Sequence, residues 1–162
     1  MDGAGKTYLI DRLQAEFPDL ALVRNELGPD QEFDRWWVDV LRADEPTLHD
    51  RFFYSELVYG PVLRGSLKAD LTLIDSVRSF IQSCALLIYC RPPVGVLLKR
   101  LAEHRAQMAG VRSNWRELLD TYDHLMEVER YAYPNGRFIY YLSTGGEAEI
   151  AEVIESVRKY LE

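Results

Sequence analysis

The stretch Gly3-Ala4-Gly5-Lys6-Thr7, running straight into a helical pattern, limits what this chain can fold into more than any other feature. Gly3 and Gly5 allow backbone conformations that turn amide N–H groups inward as an anion nest. Leu9, Ile10 and Leu13 then recur at helical spacing across Thr7 to Phe17, and Pro18 stops the pattern. A nest that opens onto a helix N-terminus is suited to phosphate. On this reading the backbone of Asp2, Gly3, Ala4, Gly5, Lys6 and Thr7 cradles phosphates, Lys6 reaches the β and γ oxygens, and the Thr7 hydroxyl can ligate Mg²⁺. The complete pattern, G-x-x-x-x-G-K-[ST] after a strand, would place its first glycine one position before Met1. The expectation is therefore that the natural protein starts about 8–10 residues upstream, with an apolar strand ending in glycine. A glycine-rich tail ahead of an ordinary helix is the plainer alternative.

Beyond that loop the chain alternates. "LALV" (Leu20–Val23) reads as a short buried strand, and "PTLHDRF" as a weak strand followed by a loop. "CALLIYC" (Cys84–Cys90) is uncharged and bounded by Pro92-Pro93, as suits a parallel strand covered on both faces, and "RFIYYLS" is the last strand. Helices are predicted over Phe33–Leu41, Ser55–Leu67, Leu71–Ser83, Val94–His104, Asn114–Arg130 and Glu147–Leu161. "LTLID" also mimics a strand ending in a metal-binding acid. However, Leu73, Val77, Phe80 and Cys84, and equally Ile74, Val77 and Ile81, continue past Asp75 at helical spacing, which leaves Asp75 as a surface acid. Alternating strands and helices predict an α/β fold, a three-layer α/β/α sandwich with a parallel sheet whose first strand is missing from this chain. No repeat or linker divides residues 1–162, so one domain is expected.

A formal charge of −7 argues against a general nucleic-acid or anionic-membrane partner. No apolar run is long enough to span a bilayer and no signal pattern leads the chain, so a cytoplasmic protein is expected. Cys84 and Cys90 read as buried free thiols. His49, His104 and His124 lack metal-ligand spacing and receive no role.

The second informative stretch is "HDRFFYSELVYGPVLRG", with Asp50-Arg51, Ser55, Tyr59-Gly60 and Gly65. It resembles the D-R-x-x-x-S-x-x-x-Y-x-G segment of thymidylate kinases. "DGAGKT", "VRNELG" and "LLIYCRPPVGVLLKRL" follow that family's order along most of the chain. The resemblance implies a compact, phage-type nucleotide kinase that uses ATP and Mg²⁺, with a nucleotide or nucleoside acceptor, from a family in which homodimers are common. It implies that Asp50 holds Mg²⁺ through water or orients the attacking phosphate, and that Arg51 grips the acceptor's phosphate through its planar fork. Arg24 then matches a second substrate-side arginine, with Glu26 a carboxylate near the metal.

Phosphoryl transfer relies on positioning and charge neutralisation. "KRLAEHRAQMAGVRSNWR" puts Lys99, Arg100, Arg105, Arg112 and Arg116 where that family carries its lid, about 100–116 here. Arg100 and Arg105 are the candidates to close over the developing charge, although a solvated helix face explains either. Trp36 or Trp37 can stack on a base or pack in a core, and Phe53 and Tyr59 can line a base pocket. Asp50–Arg51 as a surface turn and Arg24 as a solvated strand end are the bland alternatives. The interval Leu27–His49 is shorter than the family's, which leaves thymine specificity open. Three functions follow: a deoxynucleoside monophosphate kinase, a deoxynucleoside kinase with Glu26 as base, or a catalytically weak nucleotide-binding module.

Overall fold

A computed structural model describes residues 2–24, 45–103, 108–133 and 136–162. Glu26, Trp36, Trp37, His104 and Arg105, together with the helix expected over Phe33–Leu41, lie outside the described residues. In chain order the elements are α1 (Lys6–Glu16), β1 (Ala21–Arg24), β2 (Thr47–Asp50), α2 (Phe53–Tyr59), α3 (Leu71–Cys84), β3 (Leu87–Cys90), α4 (Val94–Glu103), α5 (Trp115–Ala132), β4 (Phe138–Tyr141) and α6 (Glu147–Leu161).

The strands form two parallel pairs. β1 lies along β2 with Arg24 opposite Asp50, and β3 along β4 with Cys90 opposite Tyr141. Among the described residues no ladder joins β2 to β3. The two pairs nevertheless share one apolar layer: Leu48 of β2 and Ile88 and Cys90 of β3 pack with Leu9 and Leu13 of α1 and Ile150, Val153 and Val157 of α6. The opposite side chains of the second pair, Leu87, Tyr89 and Phe138, pack with α2, α3, α4 and α5. Alternate residues of β3 thus enter two cores, which is why its sequence is continuously apolar.

Several boundaries differ from expectation, each for a local reason. "CALLIYC" is not one strand: Cys84 closes α3, and only Leu87–Cys90 pairs. Its thiol is exposed, so of the two free cysteines only Cys90 is partly buried, and burial pushes that thiol up to about 11. α2 begins at Phe53, two residues before Ser55, and passes into a π-helical turn at Gly60–Arg64. Pro61 has no N–H to give an α-helical bond, so the backbone widens there. α3 settles the reading of "LTLID". Asp70 caps it by accepting from the Thr72 and Leu73 amides at 2.8 and 3.2 Å, Ile74, Val77 and Ile81 are buried, and Asp75 is exposed. Phe80 and Cys84 point outward, so only one of the two apolar stripes faces the core. No helix among the described residues is long and apolar enough to cross a membrane.

Candidate functional site

The strand ends and the N-terminus of α1 meet at one place. Gly3 and Gly5 sit at φ +74° and +82°, and Gly5 is the residue from which α1 starts. Gly5, as the N-cap, offers no side-chain acceptor, and no acid lies in the first turn of α1. The positive end of the helix dipole therefore faces this loop, a setting that favours an anion. Lys6 is the first residue of α1. Burial, then the nearby Arg51 guanidinium, hold its pKa below the usual lysine value, while Cys90, Asp50 and Asp2 act in the other direction. Cys90 ends β3 and Asp50 ends β2, so the loop sits over the C-terminal ends of both pairs.

Arg51 follows β2 with φ +64°, a left-handed conformation that a residue with a Cβ adopts at a cost of roughly 1–2 kcal/mol. The surroundings hold it there. Its guanidinium pairs with Asp2 and lies 5.6 Å from the centre of the Tyr59 ring. Asp2 in turn donates its backbone N–H to the Tyr59 hydroxyl at 3.0 Å and accepts the Met108 amide at 3.2 Å. Burial by itself would raise the Asp2 pKa, but Arg51, the Met108 amide and Lys6 outweigh it and the pKa falls below 3.8. A carboxylate depressed in this way stabilises the fold fully above its unfolded pKa, and the contribution is lost as pH falls through the lower folded value. Asp2→Asn is thus expected to lower the urea midpoint at neutral pH and to change it little in strong acid. Equal losses at both would contradict the pairing.

Asp50 carries a different signal: its Oδ1 is enclosed and has no hydrogen-bond partner. An enclosed, unsatisfied carboxylate oxygen suits a cation or its hydration water. Among the described residues no cluster of three or more acids, histidines or cysteines forms a metal cage. Thr7, exposed in the first turn of α1, is the other candidate ligand.

The remaining candidates divide. Arg24 is exposed, in register with Asp50 at the same edge. Tyr59 is 3% exposed and serves Asp2 and Arg51. Phe53, 1% exposed, is a core residue whose ring is spent on packing. Ser55 accepts a hydrogen bond from the buried Tyr122 hydroxyl at 3.2 Å. Arg100 reaches the loop, but from behind, where its Nη1 donates to the Gly3 carbonyl and to Ser143 Oγ. Ser143 and Tyr122 were not singled out in the sequence. The one available signal was that Ser143 falls just past the C-terminal end of a strand, the edge at which open α/β sheets gather ligands.

No protein-family model matches the chain, and no curated protein matches it.

Proposed function

We propose that this chain is an Mg-ATP-dependent nucleotide kinase domain, transferring a phosphoryl group to a deoxynucleoside monophosphate in the manner of thymidylate kinases. The observation that carries the reading is the loop itself. Two left-handed glycines lead into the N-terminus of α1, of which Lys6 is the first residue, and the loop is tied to Arg51 just after β2 and to Ser143 just after β4. On this reading the fold is a three-layer α/β/α sandwich with a parallel sheet.

The roles follow from position. Bound Mg-ATP supplies the phosphoryl group and, through the metal, much of the charge neutralisation. The amides ahead of α1 hold the phosphate oxygens, and Lys6 offsets their charge in a setting where burial strengthens the attraction. Thr7 and Asp50 Oδ1 are the oxygens that fit the metal. Arg51, released from Asp2 by a dianionic group, grips the acceptor phosphate, and Arg24 lies at the same strand edge. A nucleoside acceptor is the second reading, favoured by the unpartnered Asp50 Oδ1, which can accept a hydroxyl proton.

A coupled ADP-release assay with Mg-ATP and a panel of nucleosides and nucleoside monophosphates tests this, on this chain and on a version with an apolar strand fused ahead of it. Turnover with monophosphates is expected. Lys6→Ala should reduce it at least about 100-fold. Arg51→Ala should raise the acceptor KM about 10–100-fold with a smaller effect on ATP. Turnover with nucleosides alone would overturn the monophosphate reading in favour of the second.

A further inference from the structure

The rear of the loop is built as carefully as its mouth. The Ser143 hydroxyl, on a residue 1% exposed, donates to the Ala4 carbonyl at 2.6 Å. The same oxygen accepts from Arg100 Nη1 at 2.9 Å, and that nitrogen also reaches the Gly3 carbonyl at 3.3 Å. One serine and one arginine, from the segment after β4 and from α4, thus hold two successive carbonyls of the loop. In a trans peptide the N–H points opposite to the C=O. Fixing the Gly3 and Ala4 carbonyls rearward therefore aims the Ala4 and Gly5 amides forward, into the nest.

Two neighbouring contacts show how little room this arrangement leaves. A Cβ on Gly5 would lie 2.1 Å from Ser143 Oγ and 2.9 Å from Arg100 Nη1, and one on Gly3 would lie 3.3 Å from Leu97. Leu97 and Leu101 of α4 are 0% and 3% exposed, so the arginine emerges from a packed face and its stem has few alternatives. Gly3 and Gly5 thus allow close approach of the buttress from behind, in addition to their left-handed turns.

We infer that Arg100 and Ser143 are positioning residues that set the phosphate-binding conformation of the loop through its carbonyls. This rests on the phosphate-loop reading above. It gives Arg100 a different task from an arginine that closes over the transferring phosphoryl group. A closing arginine would act on the rate of transfer. A loop-setting arginine acts on every ligand that uses the nest, whether or not a γ-phosphate is present.

The test measures dissociation constants for Mg-ADP and Mg-ATP, kcat, and backbone amide NMR shifts in Ser143→Ala, Arg100→Ala and Arg100→Lys. Both nucleotides should weaken together, by about tenfold or more, in Ser143→Ala and Arg100→Ala, since each leaves a buried partner unsatisfied. Arg100→Lys, which keeps a cationic donor able to reach one of the two acceptors, should recover part of the affinity. The Ser143→Ala and Arg100→Ala effects should combine less than additively, because they share one network. Without any nucleotide, the Ala4 and Gly5 amide resonances should move in both alanine variants. A fall in kcat with both affinities kept would overturn the inference, as would unmoved Ala4 and Gly5 amides. If the parent chain bound neither nucleotide while those amides did move, the loop-setting role would stand and the phosphate-loop reading would fall.

Discussion

Gly5→Ala is expected to abolish measurable nucleotide binding and to destabilise the fold by about 2–5 kcal/mol. Two independent terms contribute. At φ +82° a Cβ costs roughly 1–2 kcal/mol in backbone strain. The same Cβ lands 2.1 Å from Ser143 Oγ, so the loop or the serine has to shift, and overpacking of that kind costs typically about 1–3 kcal/mol. If the loop shifts, amides leave the phosphate oxygens, and each lost bond to a charged group is worth about 1.5–3 kcal/mol. Gly136→Ala separates the two terms. Gly136 is also left-handed, at φ +76°, but a Cβ there meets nothing within 4 Å, so that variant should show strain alone and bind nucleotide normally. Similar binding by both variants in a Mg-ATP titration would contradict the geometry of the loop.

The second large effect lies in the scaffold. Glu129 of α5 is 0% exposed and accepts from the Tyr54 hydroxyl at 2.8 Å and from Gln82 Nε2 at 2.9 Å, while its other oxygen pairs with Arg78. The Tyr54 hydroxyl also lies 3.0 Å from that of Tyr133. These bonds tie α2 to α3 and α5. Because α2 begins two residues after Arg51, they also fix the base on which the left-handed Arg51 is held. Glu129→Ala leaves the half-buried Arg78 guanidinium and the Gln82 amide without this acceptor and the Tyr54 phenol with Tyr133 alone, a change that costs about 3 kcal/mol. For a domain of this size the melting temperature should fall by about 10 °C. Glu129→Gln, which keeps volume and some hydrogen bonding, should lose less. A loss below about 1 kcal/mol for the alanine variant in urea denaturation would show that the network is solvated.

The sequence disclosed the features that depend on neighbours in the chain. The two-glycine turn into a helix was legible because left-handed backbone and helical periodicity are both local. α3 was legible past the ambiguous "LTLID", since one stripe of Ile74, Val77 and Ile81 outruns any strand. Asp50-Arg51 was picked out only through the motif it resembles, and the structure sets the pair at the C-terminal end of β2. Other features depended on residues far apart. Arg100 and Ser143 meet the loop across 97 and 139 positions, and no periodicity reports that. Phe53 read as a pocket residue beside its motif, but its position within α2 turns it into the core. Cys84 looked like the start of a strand because apolar composition alone does not separate a helix end from a strand start.

The decisive experiment is a calorimetric titration of Mg-ATP into this chain and into the form extended by a pairing strand, with Lys6→Ala beside each. One saturable site that disappears with Lys6→Ala is the expected result. Absence of saturable uptake at millimolar nucleotide in both forms would contradict the phosphate-loop reading, leaving the two parallel strand pairs and their helices without an assigned ligand.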